Sequence, residues 1–295
     1  FSFSMTQPFA VSAAVNSLSF GNVSIAILRE MHKRGLSPSL FPITADPRIP
    51  FDLSTQKDDP VFTQWLHACY NSAQQRHSRK HRTLRLWHIN DSIHSYSEAG
   101  NDLLTFFELD QLTPMELNVL RQQRKVYLTS RYAQSVFSQF GIQSEYVQLG
   151  FDAHNFRALD KRRGIEGATS FLLAGKLEQR KGHLQVLRLW AKRYGNNNAY
   201  RLNCALHNPF LQPGLFEHLV NQALEGKRYT NIKFLPWAPT NADYNDTLQS
   251  SEIVVAMSGG EGRDLPCYHA TALGAWPVAM RAHAYLDYLT DENAV

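Results

Sequence analysis

The chain has 295 residues, is 43% hydrophobic and 19% charged, and carries a formal net charge of +4. The apolar fraction is that of a globular protein, and the length suits two domains of ordinary size. No apolar run approaches the ~20 residues of a membrane-spanning helix, and Cys69, Cys204 and Cys267 are too dispersed for a disulfide framework or a metal-binding spacing.

The first half alternates strands and helices. Pro8 to Val15 reads as a strand, Asn16 to Asn22 as a polar loop containing Gly21, Val23 to Arg34 as an amphipathic helix stopped by Gly35, and Leu40 to Ile43 as the next strand. That order is a βαβ unit. Asp46 to Pro60 is loop-like and Val61 to Ala73 helical. The basic run from Arg76 to Arg82 reads as a solvated face, or as a surface for nucleic acid or anionic lipid. Leu84 to Asp91 is a strand with a polar exit containing His88, and Leu103 to Glu108 is another. Thr113-Pro114-Met115-Glu116 opens a helix with proline at its first position. Lys125 to Ser130 is a strand, and Arg131 to Phe140 a helix ended by Gly141.

The second half repeats the alternation. Strands are expected at Ser170–Ala174, Arg201–Leu206, Ile232–Leu235 and Glu252–Met257, and helices at His183–Tyr194, Gly214–Leu224, Ala242–Ser250 and from Tyr268 to Leu273. Repeated β/α alternation implies parallel sheets, so the fold class is α/β. The charged stretch around Arg157–Ala168 is the expected linker. It separates an N-terminal domain over 1–156 from a C-terminal domain over 169–295.

Two segments carry chemistry. In Phe171-Leu-Leu-Ala-Gly175-Lys176-Leu-Glu-Gln-Arg-Lys181-Gly182 an apolar strand ends in glycine, and two cations follow at a spacing of five. In Ser258-Gly-Gly-Glu261-Gly262-Arg-Asp-Leu265-Pro266-Cys-Tyr-His269-Ala270 a strand feeds a helix through small residues and a carboxylate. In open parallel sheets such strand ends form a ligand crevice, and helix-start amides favour an anionic ligand such as a diphosphate.

These two segments resemble the donor-site signatures of retaining glycosyltransferases with two Rossmann-like domains facing a cleft, the GT-B fold of family 4 (glycosyl transferases group 1). The second segment matches at Ser258, Glu261, Gly262, Leu265, Pro266, Ala270, Gly274, Pro277 and Val278. It departs at Arg263-Asp264, where the family has an aromatic and a glycine, and at His269, where it has a second glutamate. In the first segment Lys176 takes the place of the family's arginine and Lys181 matches its lysine. Val147-Gln-Leu-Gly150-Phe-Asp152, with Phe156, resembles the segment closing the family's N-domain, with leucine for asparagine. Relative to the family's pattern the C-terminal part is short, and a truncated or minimal domain is expected.

The resemblance implies transfer of a sugar from a nucleotide-sugar donor to an acceptor hydroxyl with retained anomeric configuration. The donor is a UDP-, GDP- or ADP-sugar and the acceptor a glycan, lipid or small molecule. It implies that Lys176 and Lys181, with amides around Gly262 and Leu265, hold the diphosphate. Glu261 orients the sugar, His269 meets the ribose, and Gly21 borders the reacting groups. His88 reaches the sugar, with His94 as the alternative, and Trp237 lies near the base. No cofactor and no catalytic metal are expected. Two other readings follow from the departures and from the basic run: a degenerate member that binds nucleotide or glycan without turnover, and a sugar transferase acting on DNA. Dispersed cysteines and the lack of a secretory pattern give a cytoplasmic expectation, with attachment to a membrane periphery compatible with the mild positive charge.

Overall fold

A computed structural model describes residues 8–160 and 167–295; residues 161–166, inside the expected linker, lie outside the described residues. The chain divides into two compact units, one reaching Asp152 and the other starting at Ala153. Each is an open parallel sheet with helices, as the alternation dictates.

The first unit runs β1 (Phe9–Ala13), α1 (Ser19–Lys33), β2 (Ser39–Pro42), α2 (Pro60–Gln75), β3 (Arg82–Leu86), β4 (Asn101–Thr105), α3 (Pro114–Arg121), β5 (Lys125–Leu128), α4 (Arg131–Gln139) and β6 (Glu145–Tyr146). Its sheet has the order β2-β1-β3-β4-β5-β6, all parallel. β1 and β4 are buried along their whole length, as expected of central strands covered on both faces. Thr113 caps α3 in a reciprocal box with Glu116, which satisfies backbone donors at the helix start. The core below β4 and β5 packs Leu103, Phe107, Val119, Val126 and Phe137.

Two expectations are corrected here. The loop before α1 is shorter than its polar composition suggested, because Asn16 accepts from the Leu18 amide at 3.0 Å and the chain enters the helix at Ser19. Gly21 therefore lies in the first helical turn, not in a loop. The strand expected to reach Asp91 ends at Leu86, because Trp87 to Ser92 turns back on itself, with the Ser92 amide donating to the Ile89 carbonyl at 2.9 Å.

The second unit runs β7 (Thr169–Gly175), a 3-10 turn (Gln179–Lys181), α5 (His183–Tyr194), β8 (Tyr200–Leu206), α6 (Leu215–Ala223), β9 (Ile232–Phe234), α7 (Asn241–Leu248), β10 (Ile253–Ala256), α8 (Leu265–Ala272), β11 (Trp276–Ala279) and a 3-10 turn (His283–Asp287). The parallel sheet has the order β11-β10-β7-β8-β9. β11 has no counterpart in the sequence reading, since Pro277 interrupts its pattern; as an edge strand it tolerates a residue without an N–H. Residues 156–159 belong to this unit. Phe156 is buried among α7, β10 and α8, and the Arg157 and Leu159 amides donate to the side chains of Asn245 and Gln249 at 3.0 and 2.8 Å.

The strand order places the exits of β7 and β10 side by side. Gly182, at the start of α5, closes the space between them: its φ is +67°, and a Cβ there would stand 2.7 Å from the Met257 carbonyl oxygen. Both facts demand glycine. Replacing Gly182 with alanine is expected to lower the melting temperature by several degrees, since the left-handed backbone alone costs ~1–2 kcal/mol. A Gly182→Ala protein that melts with the parent would show that the β7 and β10 loops have slack at this point.

Candidate functional site

Strand order in the second sheet proceeds from β7 outward through β8 and β9 on one side, and through β10 and β11 on the other. The reversal falls between β7 and β10, the position at which open α/β sheets bind ligands outside the strands' carboxyl ends. Both signature segments converge there. The loop after β7 carries Lys176, Glu178, Arg180 and Lys181, and the loop after β10 carries Ser258 to Asp264. They are stitched through the backbone. The Arg180 carbonyl accepts from the Gly259 amide at 2.7 Å and from the Ser258 hydroxyl at 3.4 Å.

At the junction the Lys181 ammonium donates to Glu261 Oε1 at 2.6 Å, and Arg180 Nη1 donates to the same oxygen at 3.0 Å. Arg180 Nη1 also donates to the Gly260 carbonyl, and its Nη2 lies 3.1 Å from Glu178 Oε2. Asp264 Oδ1 stands 3.8 Å from the Lys181 ammonium. The Lys176 side chain is 41% exposed; its ammonium pairs with Glu178 at 3.1 Å and lies over the Phe210 ring at 5.3 Å. Lys181 and Glu261, far apart in sequence, are therefore brought together, whereas Lys176 is engaged at the rim.

The electrostatics follow from burial. Glu261 is 3% exposed. Burial, followed by the neighbouring Asp264 charge, pushes its carboxyl up to about 7, against the pull of Lys181 and Arg180. Burial alone would lower the Lys181 ammonium, but Asp264 and Glu261 together raise it, so Lys181 stays charged. His183, buried behind Lys181, is lowered to about 4 by burial and then by that ammonium, so it is neutral near pH 7.

The departures from the family signature have definite places. Arg263 is fully buried, its guanidinium 4.1 Å from the centroid of Tyr268 and 4.8 Å from that of Tyr288, a cation–π arrangement inside the domain. Asp264 adopts a left-handed backbone with φ 50°, and its Oδ2 accepts from the Tyr285 hydroxyl at 2.6 Å. Gly262 is buried in the loop, and Leu265 opens α8. His269 sits on α8 with Nδ1 2.9 Å from the Leu265 carbonyl and its ring 4.3 Å from Phe156. Trp237 is largely exposed after β9, its ring 4.4 Å from that of His207 after β8.

The first unit has its own reversal, between β1 and β3. Phe20, in the first turn of α1, packs its ring 4.5 Å from His88, on the turn that follows β3. Gly21 and His88 are thus brought to one region of this unit. Gly21 makes a close approach to its own chain, since a Cβ there would stand 2.2 Å from the Asn16 carbonyl oxygen. His88 is exposed. Its turn is braced by buried Arg85, which donates to Ser12 Oγ at 2.9 Å and to the Asp91 carbonyl at 2.7 Å, while the Ser92 hydroxyl donates to the His88 carbonyl at 2.6 Å. His94 is also exposed, and its carbonyl accepts from Asn101 at 2.9 Å. In the basic run, Arg82 pairs with buried Asp102 at 2.9 Å. Phe20, Arg85 and Arg180 were not singled out in the sequence. The first two look like ordinary helix and strand residues, but Arg180, beside a matched lysine, was detectable.

Among the described residues no group of three His, Cys, Asp or Glu side chains is placed to hold a metal ion. No helix among them is long and apolar enough to cross a membrane.

A pH dependence follows from Glu261. Its folded value lies above the ordinary 4.5, so the folded state holds this proton longer than the unfolded chain and loses stability from Glu261 as pH rises from about 4.5 to 7. Glu261→Gln, which mimics the protonated acid, is expected to gain melting temperature relative to the parent across that window. Parallel melting curves for the two proteins between pH 4 and 8 would refute it.

No protein-family model and no curated protein matches the chain. Solved structures do. Sucrose-phosphate synthase from Thermosynechococcus elongatus matches with a TM-score of 0.67 over 98% of this chain and 85% of its own, at 14% identity. An E. coli structure described as trehalose-6-phosphate bound with UDP-2-fluoro glucose gives 0.65 over 98% and 88%, at 11% identity. A glycosyltransferase from Rickettsia africae gives 0.63 over 98% and 83%, at 11% identity. With two parallel α/β units and a likeness to such structures over 98% of its length, the chain has the GT-B fold of glycosyltransferases.

Proposed function

We propose that this chain is a glycosyltransferase that moves a sugar from a nucleotide-sugar donor to an acceptor hydroxyl with retention of configuration. The observation that carries the reading is the convergence of Lys181 and Glu261, from the two signature segments, at the strand-order reversal of the second sheet. The likeness to a structure bound with UDP-2-fluoro glucose supports a donor of that class.

In this reading the nucleotide lies over the exits of β7–β10, with its diphosphate at Lys181 and near the start of α8. As the bond from sugar carbon to diphosphate oxygen breaks, negative charge grows on the leaving group, and a fixed ammonium stabilises it. The acceptor oxygen forms the new bond to that carbon from the face the diphosphate leaves, and its proton passes to the leaving phosphate. Glu261 orients the sugar, and its carboxyl, raised by burial, also sets how strongly Lys181 is held when no donor is bound. His88 is assigned to the sugar and His269 to the ribose region. Lys181 is assigned the leaving-group charge that a metal ion would otherwise carry. Buried, unpaired Cys69, Cys204 and Cys267 agree with a cytoplasmic setting.

A thermal-shift panel of UDP-, GDP-, ADP- and CDP-sugars tests the donor, since a bound ligand raises the melting temperature by mass action. Lys181→Ala is expected to abolish most of the shift, because a charge-assisted bond to phosphate contributes about 1.5–3 kcal/mol; Lys176→Ala is expected to be milder. If both variants bind and turn over the donor like the parent, the diphosphate assignment is wrong. Binding without transfer or donor hydrolysis would select the degenerate reading.

Treatment with EDTA is expected to leave transfer essentially intact. A strict requirement for added Mn²⁺ or Mg²⁺ would overturn the assignment of the leaving-group charge to Lys181.

A further inference from the structure

We infer that Arg180 is the second cation of the diphosphate site, in the role that motif spacing assigns to Lys176. The inference rests on the donor reading above and concerns which side chains of that site meet phosphate.

The positions of the two residues differ in kind. Lys176 ends at Glu178 and the Phe210 ring, its side chain 41% exposed. Arg180 lies where the two loops meet, its guanidinium on Glu261 Oε1 and the Gly260 carbonyl, and its own carbonyl bonded by Gly259 and Ser258. Lys181 shares Glu261 Oε1 with it. Two cations from adjacent residues thus converge on one oxygen at the sheet's reversal point, and Arg180 is one of them.

Chemistry favours the same residue. An ammonium is a point charge, whereas a guanidinium offers a planar fork that matches two phosphate oxygens. Replacement of the family's arginine by Lys176 removes the fork from that position, and Arg180 supplies one within the same loop. Its side chain is 28% exposed, against 8% for Lys181, so at the junction itself Arg180 is the cation that solvent reaches. Its partners, the carboxylates of Glu178 and Glu261 and the Gly260 carbonyl, present oxygens, so phosphate oxygens can substitute for them as acceptors.

The ion-pair pattern adds a consequence. Lys176, Arg180 and Lys181 are matched by Glu178, Glu261 and Asp264, so the cluster is neutral once Glu261 is ionised. A diphosphate must draw cations away from carboxylates. Arg180 is shared between Glu178 and Glu261, so its transfer to phosphate releases both.

Calorimetric titrations of UDP, GDP and ADP, each against its nucleoside, test the inference on the parent, Arg180→Ala, Arg180→Lys and Lys176→Ala. Arg188→Ala, on the exposed face of α5, controls for net charge. Arg180→Ala is expected to weaken the bound diphosphate 10- to 100-fold with nucleoside affinity unchanged. Arg180→Lys should recover only part, Lys176→Ala should lose less, and Arg188→Ala should match the parent. An Arg180→Ala protein within twofold of the parent, a larger loss in Lys176→Ala, or an equal loss of diphosphate and nucleoside would overturn it. If Arg180→Ala does not fold, Arg180→Gln is read by the same criteria. A parent that binds none of the three diphosphates sinks the donor reading, and the inference with it.

Discussion

One buried contact, Lys181 with Glu261, joins the loops that follow β7 and β10 in the second unit. Its partners come from loops that follow different strands, and each would be costly to bury alone. The pair forms because β7 and β10 are neighbours and because Gly182 lets the chain turn tightly against Met257. Around it the same few charges do two jobs: they satisfy one another in the structure seen, and they are the groups an anion would recruit. Such a site is poised rather than empty. In the proposed reading, the affinity for a diphosphate is a difference between two sets of charge pairs, so small shifts in any carboxylate would alter it.

The two units use the same architectural device. In each, the first strand has neighbours on both sides, and the loops that follow it and its later-added neighbour share one region. In the first unit that region holds Phe20 and His88, with Arg85 locking the turn from beneath. In the second it holds the charge cluster. The contrast is chemical: an aromatic and histidine surface in one, and dense, mutually neutralised charge in the other.

Much of this was legible in the sequence, for identifiable reasons. Apolar runs separated by glycine and polar turns gave nearly every strand and helix, because central parallel strands are buried on both faces. β11 was hidden by Pro277, which only an edge position accommodates. The start of α1 was misplaced because Asn16 begins the turn with its own side chain, drawing Gly21 into the helix. Within the site, the matched residues Lys181 and Glu261 were found, but their contact was not, since no local pattern encodes pairing across 80 residues of chain. Arg263 is the clearest lesson. Beside a phosphate-type motif a cation suggests an anion, yet this one stacks on two tyrosines whose spacing in sequence gives no hint of it.

Tyr285 donates to Asp264, and Asp264 faces Lys181, so a phenol in a 3-10 turn 21 residues downstream is wired to the central ammonium. Asp264 holds a left-handed backbone that favours glycine, and the tyrosine hydroxyl is part of what keeps it there. The region after β11 is therefore electrostatically part of the site although it carries none of the signature. Substitutions in that turn would register in a functional screen as changes at the charge cluster, and the boundary between site and scaffold in this protein follows hydrogen bonds rather than motif limits.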